Sequence, residues 1–487
     1  MSHATSFRLL LRWQNAGKFQ KDPCRKRLAH VPALCGQTDR LLLKERRQSH
    51  SAASSRESED TQPPVSAYIH LPFCKRRCYY CDFPVSIVGS KPQQPGIQQG
   101  VQEYIKTLCT EIEATVKLPG PPLQTIFFGG GTPTLVPPNL LQQVLSVLRD
   151  KYGIAKDAEI SMESDPGTFD ANRLQEYMSL GVNRFSMGVQ CFQQNLLELC
   201  GRSHSLDDVY QAIRDIHQAR VPNWSLDLIS GLPQLTSKDW QQSLQSAVDA
   251  NPSHISVYDL QVEAKTPFAR WYEPGSHPLP TDEATADMYR AASSLLQQAG
   301  YEHYEISNYA KPGYRSQHNL GYWQNDPFYA FGVGAASYLC KRRFSRPRTM
   351  KGYQQWVADF AKASHEKALG LVPGMDSMEA ESTDEQLLDY VMLRLRLADG
   401  IPLSELQQRH GHTATQTTVE TLLSGDLFRY RYACETMIKG QRHVRLTDPE
   451  GFLMSNDCIS TLFAELSTAD ADQAHSAQAT ASHGLHN

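Results

Sequence analysis

The sequence lacks the features that define several large protein classes. It has no apolar run of the roughly 18 residues that cross a bilayer, and its formal net charge is −4. Proteins that mainly bind nucleic acid present a basic face to the phosphates, so nucleic acid is not an expected partner. The eleven cysteines are an odd number and follow no secretory signal, which argues against disulfides and for a reducing compartment. Peripheral contact with a membrane stays open on these grounds.

The apolar content, by contrast, is large enough for a substantial core. Of the 487 residues, 40 % are hydrophobic and 21 % are charged, which is typical of a globular protein. A chain of this length predicts about two to four domains.

Charge is distributed unevenly along the chain. Residues 1–50 contain eleven Lys or Arg and three Asp or Glu, a balance of 11 − 3 = +8, so the remaining 437 residues carry −4 − 8 = −12. Within this first segment, Arg8 and Arg12 are interspersed with Leu10 and Trp13. A basic, acid-poor, amphipathic start is typical of a mitochondrial transit peptide, which predicts the mitochondrial matrix. The alternative is a disordered cytosolic extension.

Alternation of strands and helices follows a linker at 51–64 that is rich in Ser, Glu, Gln and Pro. Six short β-branched or apolar runs predict strands at Ala67–Leu71, Thr125–Phe128, Glu159–Glu163, Arg184–Val189, Ser225–Ile229 and His254–Leu260. Apolar residues at three- and four-residue spacing predict helices at Leu140–Tyr152, Asn172–Leu180, Leu206–Ala219 and Asp239–Ala250. The predicted fold class is α/β, a partial (β/α)6 barrel over 65–305. In such a barrel, functional residues lie at the carboxyl ends of the strands.

The alternation stops after Tyr301. An aromatic, Gly-rich stretch begins a predicted extension over 306–375. Residues 376–450 predict a small α+β, winged-helix-like module, in which helices precede two strands at Phe428–Ala433 and Met437–Leu446. The tail at 467–487 is rich in Ala, Ser, His and Asp, and is predicted to be disordered.

Three cysteines directly follow the first predicted strand, in Cys74-Lys-Arg-Arg-Cys78-Tyr-Tyr-Cys81. Thiolates at i, i+4 and i+7 of one loop can reach three corners of a 4Fe–4S cubane, which leaves the fourth iron open. The three basic residues between the first two cysteines offset the negative charge of such a cluster. The alternative is zinc, but a zinc site usually pairs two ligands with two from a distant segment, and no matching CxxC or HxxxH is evident. Cys74, Cys78 and Cys81 therefore predict a 4Fe–4S cluster.

This spacing resembles the signature of the radical SAM superfamily, and the resemblance extends over about residues 65 to 450. It implies that the open iron receives S-adenosylmethionine (SAM). The residues that match SAM-contacting positions of the family are Tyr68, Tyr80, Gly130, Gly131, Thr132, Glu163, Gln190, Arg202 and Asp227.

The positions of these residues support the resemblance. A Gly129-Gly130-Gly131-Thr132-Pro133 segment follows the second predicted strand, and glycines let backbone N–H groups approach and hold a carboxylate. Glu163 and Gln190 end the third and fourth strands, and Asp227 lies in the fifth. A lone glycine triplet is more often a tight turn, and a lone polar residue is more often a cap. Because the glycine segment and these polar residues lie on successive strands of one predicted barrel, a shared ligand is the better interpretation.

The order of the motifs resembles one subfamily, which contains the oxygen-independent coproporphyrinogen III oxidases (HemN) and the HemW haem chaperones. The matching segments are Tyr-Ile-His-Leu-Pro-Phe-Cys, Gly-Gly-Gly-Thr-Pro, Glu-x-Asp-Pro, Ser-Met-Gly-Val-Gln and Asp-Leu-Ile-x-Gly-Leu-Pro. Some members bind two SAM molecules, and the positions matching the second are Tyr80, Gly131, Thr132, Gln190, Arg202, Asp227 and Gln261. Whether two bind here stays open.

Two features distinguish the two branches. The oxidases carry a fourth cysteine two residues after the third, whereas this chain has Phe83 there, as in the HemW branch. The segment His318-Asn-Leu-Gly-Tyr322-Trp323 matches an HNxxYW pattern that is associated with haem binding in HemW. Imidazole can ligate haem iron, and aromatic rings can pack on the macrocycle, so His318, Tyr322 and Trp323 are haem candidates.

Other roles for these residues stay open. An aromatic loop with one histidine often packs against a barrel, and His303 and His70 are competing haem ligands. His70 lies beside the cysteines, where a structural role is expected.

The resemblance and the transit-like segment together make this chain similar to the mitochondrial HemW-like branch of animals. They imply a haem chaperone that delivers haem to apoproteins of the respiratory chain, without coproporphyrinogen oxidase activity. The alternative is a radical SAM enzyme such as an oxygen-independent coproporphyrinogen III oxidase, in which SAM cleavage yields a hydrogen-abstracting radical. Phe83 favours the carrier, whereas the intact SAM positions favour the enzyme. A tRNA substrate is a third hypothesis, which the acidic body of the chain disfavours.

Overall fold

The computed structural model describes residues 62–365 and 379–467. Its strands, in chain order, are β1 Ser66–Leu71, β2 Phe73–Cys74, β3 Ser86–Ile87, β4 Leu123–Gly130, β5 Ile154–Ser164, β6 Arg184–Gln190, β7 Trp224–Ser230, β8 His254–Asp259, β9 Glu302–Glu305, β10 Asn308–Ala310, β11 Phe328–Phe331, β12 Ala336–Leu339, β13 Arg342–Ser345, β14 Ile401–Pro402, β15 Ala433–Ile438 and β16 Gln441–Leu446. Its helices are Pro95–Ala114, Pro138–Tyr152, Ala171–Ser179, Gln194–Leu199, Leu206–Ala219, Ser237–Asp249, Pro267–Trp271, Asp282–Gln298, Gln317–Trp323, Met350–His365, Thr383–Arg394, Leu403–Leu423, Gly425–Arg429, Glu450–Leu453 and 455–467, with a 3-10 turn at Pro133–Leu135.

Six parallel strands form the centre of an 11-stranded sheet, in the spatial order β1-β4-β5-β6-β7-β8. They confirm the six predicted strands and the predicted α/β class. The four predicted crossover helices are also present, each within two residues of its predicted bounds. The main difference is β5, which begins five residues early at Ile154, in a stretch where Lys156 and Asp157 interrupt the apolar pattern.

Residues along the central strands alternate between two environments, as the two-residue period of a strand requires. One face is apolar and packs under the helices; in β1 it consists of Ala67, Ile69 and Leu71. The other face lines the barrel and is largely polar, with buried residues such as Ser186 and Asp227. The barrel interior is therefore a polar space, and its groups must find partners across it.

Residues after Tyr301 extend this same sheet at both edges. Strand β11 pairs parallel with β1 and carries β12 and β13 beyond it. At the other edge, β10 pairs antiparallel with β8 and carries β9. The predicted boundary between 305 and 306 thus falls between two paired strands. An incomplete barrel has two edge strands whose backbone N–H and C=O groups are unpaired. Here β11 and β10 pair with those edge strands.

The C-terminal part contains helices followed by a hairpin that completes the sheet β14-β16-β15. The predicted strand Phe428–Ala433 is wrong, since 425–429 is helical and the strand begins at Ala433. Phe428 is exposed in the structure, so the prediction failed because it took an exposed apolar residue for part of a buried strand face. The second predicted strand is shorter than expected because Lys439 and Gly440, both with positive φ, form the hairpin turn.

Several predictions lie wholly or mostly outside the described residues. They are the transit-like segment at 1–50, the linker at 51–64 apart from its last three residues, and the tail at 467–487 beyond its first residue. Across 62–365 and 379–467, no helix combines the length and apolarity needed to cross a membrane. The domain bounds stay predictions.

Candidate functional site

The three cysteines lie on one loop at the carboxyl end of β1. Cys74 ends β2, and its carbonyl accepts a 2.9 Å hydrogen bond from the Val88 N–H; the Cys81 N–H donates to the Cys78 carbonyl at 3.1 Å. Burial raises the pKa of the Cys74 thiol above its usual range, and the nearby Asp165, Cys81 and Cys78 raise it further. A metal centre would favour the thiolate form of Cys74, because metal ligands bind deprotonated.

A 4Fe–4S cluster and a single metal ion place different demands on these thiols. Among the described residues, no three His, Cys, Asp or Glu side chains lie close enough together to hold one metal ion. A mononuclear zinc site would need that arrangement, whereas a cubane takes one thiolate at each of three separate irons.

A glycine turn at 129–132 is attached to the strand that leads into the cysteines. The Gly131 N–H donates to the Leu71 carbonyl at 2.8 Å, and the Thr132 N–H donates to the Phe73 carbonyl at 2.7 Å. A Cβ atom added at Gly131 would lie 2.6 Å from the Phe73 carbonyl oxygen. Only glycine therefore allows this turn to lie against the cysteine loop.

Gly130 has a second reason to be glycine. Its φ of +113° lies in the region that favours glycine, and an added Cβ would lie 2.4 Å from the His70 ring. That ring is fixed on both sides, by the Tyr68 hydroxyl at Nδ1 (3.1 Å) and the Pro84 carbonyl at Nε2 (3.0 Å). The Pro84 carbonyl only accepts, so Nε2 carries the proton and Tyr68 donates to Nδ1. His70 supports the glycine turn, in agreement with its expected structural role.

Arg202 connects the cysteine loop to the barrel. Its Nη1 donates to the Cys78 thiol sulfur at 3.3 Å and to the Tyr80 hydroxyl at 3.1 Å. Its Nη2 donates to Asp165 Oδ1 at 2.6 Å and to the Gly188 carbonyl at 2.8 Å. The guanidinium thus places a fixed positive charge beside one of the three sulfur atoms.

Asp165 is a site residue that sequence reasoning missed. Burial is the largest single influence and raises the pKa of its carboxyl, but the charge and hydrogen bond of Arg202 together with the nearby His204 outweigh it, and the pKa falls below its ordinary value. Its other oxygen accepts from Thr132 Oγ1 at 3.2 Å. Asp165 therefore holds both the glycine turn and Arg202. The signal was present in the sequence, two residues after Glu163 in Glu-Ser-Asp-Pro.

Glu163 and Asp227 are buried carboxyl groups inside the barrel. Glu163 Oε2 accepts from the Gly130 N–H at 2.9 Å, and burial raises the pKa of this carboxyl to about 7. Asp227 accepts from the Ser186 hydroxyl at 3.0 Å and the Ser225 hydroxyl at 3.3 Å, and burial raises its pKa as well. Glu163 can therefore change protonation near neutral pH when a cationic ligand approaches.

Gln190 offers an unused acceptor at the end of β6. Its backbone has a φ of 75°, which is strained for a residue with a side chain. Its Oε1 atom is buried and has no hydrogen-bond partner among the described residues. Buried polar atoms normally have a partner, so this amide is suited to a ligand. Gln261, the open second-site position, donates only to Asp259, at 3.4 Å.

The structure thus brings the predicted SAM positions together around the cysteine loop and glycine turn. It places the haem candidates elsewhere. His318 lies in the helix Gln317–Trp323, and its Nδ1 is 2.7 Å from the hydroxyl of Thr125, near the start of β4. From Thr125 to Gly130 the strand advances five residues, or roughly 16 Å. His318 therefore occupies the amino-terminal end of the barrel, opposite the cysteines.

His318 is enclosed at that end. It is 1 % exposed, its Nε2 lies 2.8 Å from the Tyr322 hydroxyl, and its ring stacks on Phe127 at 5.3 Å between centroids. Burial, together with the charge of Arg184, lowers its pKa to about 3, so the ring is neutral. Trp323 is also buried. Ligation of haem iron by His318 would require one of these two nitrogen contacts to break, and the axial-ligand assignment stays a prediction.

Comparisons with known proteins agree with this geometry. The family model described as Radical SAM superfamily matches residues 68–247. The protein named heme chaperone HemW of Synechocystis is 45 % identical over 413 residues, which cover 83 % of this chain and 97 % of that protein. Heme chaperone HemW of Escherichia coli is 35 % identical over 70 % of this chain and 85 % of its own length. The structure of coproporphyrinogen III oxidase (HemN) from Escherichia coli matches with a TM-score of 0.66 at 20 % identity, over 84 % of this chain and 91 % of that one, which shows a shared fold.

Proposed function

We propose, from the premise that this chain belongs to the HemW family of the radical SAM superfamily, that it is a haem chaperone. It binds haem and passes it to acceptor apoproteins. The near full-length similarity to proteins named heme chaperone HemW carries this proposal. Phe83, at the position where the oxidases have a fourth cysteine, supports it from the sequence.

The proposal includes a 4Fe–4S cluster on Cys74, Cys78 and Cys81. When bound, such a cluster supplies an open iron that can take SAM and reduce it. The chain's own residues hold and polarise this centre. Arg202 offsets negative charge at Cys78, and Asp165 keeps the guanidinium in place.

The same residues provide a site for SAM. The N–H groups of Gly130, Gly131 and Thr132 already donate to Glu163, Leu71 and Phe73, so the glycine turn contributes a surface without side chains, which a ligand can approach closely. Glu163, already bonded to the Gly130 N–H, offers a carboxylate for an ammonium group. Gln190 adds the free amide oxygen. SAM carries an ammonium group, which these two acceptors suit.

Radical SAM chemistry is the second candidate, because the site that would hold SAM is complete and a carrier has no evident need for it. One experiment distinguishes the haem chaperone from the radical SAM enzyme. Reconstituted, reduced protein is incubated without oxygen with SAM and coproporphyrinogen III, and protoporphyrinogen IX and 5′-deoxyadenosine are measured. The chaperone proposal expects no protoporphyrinogen; its formation at catalytic turnover would establish the oxidase instead.

The direct test is haem transfer. Full-length protein is loaded with haem, mixed with a haem-free acceptor, and followed by the Soret band. We expect haem to bind with a shifted Soret band and to move to the acceptor; failure to bind haem would end the proposal. Cys78→Ala should abolish the 4Fe–4S absorbance, which separates loss of the cluster from loss of haem.

We further propose that the chain acts in the mitochondrial matrix and serves apoproteins of the respiratory chain. The balance of eleven basic and three acidic residues in 1–50 supports this. A fluorescent protein fused after residue 64 should enter mitochondria. A cytosolic distribution of that fusion would contradict the proposal.

A further inference from the structure

An exposed aromatic surface lies directly beside the cysteine loop. We call it the aromatic platform, and it consists of Tyr79, Trp271 and Tyr272, with Phe268 buried beneath them. The Phe268 N–H donates to the Tyr79 carbonyl at 3.2 Å, which ties the helix Pro267–Trp271 to the loop between Cys78 and Cys81. Trp271 packs edge-to-face on Tyr79, with 5.0 Å between centroids.

Trp271 is unusual because the indole is 54 % exposed. Phe268 below it is fully buried and packs on the Tyr80 ring at 6.0 Å, so the platform rests on a rigid base. Large exposed aromatic rings beside a functional site commonly mark a binding surface. Trp271 meets Tyr79 at an interplanar angle of 73° and Tyr272 at 78°, so two phenol rings stand nearly perpendicular to the exposed indole.

Cations stand at the edge of the platform. The Arg76 guanidinium lies over the Tyr79 ring, 5.2 Å from its centroid, and donates to the Tyr79 hydroxyl. Arg270, next to Trp271, is exposed and forms no ion pair within the described residues. Two other basic side chains are already bound to backbone oxygens, Arg77 to that of Phe83 at 3.0 Å and Arg348 to that of Asp82 at 2.8 Å. Arg76, held over Tyr79, and Arg270, next to Trp271 in the chain, are exposed cations of this surface.

We infer that haem docks on the aromatic platform, with its macrocycle on Trp271 and its two propionates toward Arg76 and Arg270. This inference rests on the proposed chaperone function and gives it a site. Haem is a flat apolar ring with two carboxylates at one edge, and the surface presents an exposed indole, a cation over the neighbouring Tyr79 ring and a second exposed cation next to Trp271 in the chain. Aromatic stacking and charge-assisted contacts both favour that pairing.

The size of the surface also favours haem over a protein. A stable protein interface covers roughly 800 Å² on each partner, far more than one exposed indole and two phenol edges provide. A platform on the surface suits transfer, because an acceptor protein can reach haem held there. His318, by comparison, is enclosed at the opposite end of the barrel.

The test uses the full-length protein with its cluster reconstituted, titrated with haem and followed at the Soret band. Trp271→Ala should weaken haem binding about tenfold, since stacking and apolar contact are both lost. Trp271→Phe should restore affinity to within about threefold of wild type, because a flat ring remains. Arg76→Gln should weaken binding about fivefold through loss of one charge contact. Cluster absorbance and iron content should not change in any of them.

Tyr430→Ala is the matched control, since Tyr430 is equally exposed (56 %) but lies in the C-terminal part; its affinity should equal that of wild type. If wild type binds haem and Trp271→Ala binds it equally well, the platform is not the site and the inference fails, while the chaperone proposal stands. If wild type binds no haem, the chaperone proposal itself fails. Unchanged haem binding with slower cluster reduction by an acidic electron-donor protein would assign the platform to that donor and overturn the inference.

Discussion

Arg202 and Asp165 form an ion pair of 2.6 Å between Nη2 and Oδ1, with side chains that are 6 % and 21 % exposed. The pair lies between the cysteine loop and the barrel, because the other guanidinium nitrogen contacts Cys78. The ion pair joins residues 37 positions apart in the chain and holds the Arg202 guanidinium in place beside Cys78.

Asp165→Asn should therefore reduce both stability and cluster content. The substitution leaves a buried guanidinium without its counter-charge, and we expect a loss of about 2–4 kcal/mol in the free energy of unfolding. Urea denaturation of the apoprotein measures the first effect, and iron and sulfide per chain after reconstitution the second. Asp287→Asn, which breaks an exposed pair with Arg290, is the control and should cost under about 1 kcal/mol. Equal effects of the two variants would show that the Asp165 pair has no special role.

Gly131→Ala should impair SAM binding. The new Cβ would lie 2.6 Å from the backbone oxygen of Phe73, so the turn must move away from the cysteine loop. Equilibrium dialysis of reconstituted protein should show SAM affinity lowered by at least about tenfold, or ~1.4 kcal/mol. Gly100→Ala, in the helix Pro95–Ala114 and with no atom within 4 Å of the added Cβ, should leave SAM affinity unchanged. Wild-type affinity in Gly131→Ala would contradict the assignment of the turn.

The affinity for SAM should rise with pH between about 6 and 8. Burial raises the pKa of Glu163 from 4.5 to about 7, so the carboxyl is protonated below that pH and becomes an anion above it. An ammonium group binds the anion better. Glu163→Gln cannot ionise and should flatten this part of the profile. A slope that persists in Glu163→Gln would exclude Glu163 as its source.

Acid should destabilise the protein partly through His318. Burial, with the charge of Arg184, lowers the pKa of His318 from 6.5 to about 3, so the unfolded chain binds a proton between these values that the folded chain does not. This contribution to stability is complete above pH 6.5 and falls as the pH drops toward 3. Relative to His318→Gln, the wild type should lose about 1–2 kcal/mol between pH 6.5 and 5.

Urea denaturation at the two pH values measures that difference. His277→Gln, at an exposed position, is the control and should follow the wild type. The test compares how much the free energy of unfolding changes between the two pH values in each protein. Its absolute value is not compared, because His318→Gln also removes the contacts to Thr125 and Tyr322. Parallel curves for wild type and His318→Gln would mean that the ring is not held neutral.

The C-terminal hairpin shows where local patterns mislead. Phe428 looks like a strand signal because it is apolar, but it is exposed and lies in the helix Gly425–Arg429. Met437 is exposed as well, although it does lie in β15. An apolar residue marks the inner face of a strand only if it is buried, and a single sequence does not state which apolar residues are buried.

The sequence by itself determined the central strands, the crossover helices and the three-thiolate loop, because each depends on spacing along a few consecutive residues. Two-residue alternation marks a strand, and i, i+4, i+7 places three cysteines on one loop. Only the tertiary structure decided that Asp165 holds Arg202, that His318 is enclosed opposite the cysteines, and that strands after Tyr301 close both edges of the sheet. These relationships join segments between 37 and about 260 residues apart, and their partners are selected by packing, which local spacing does not encode.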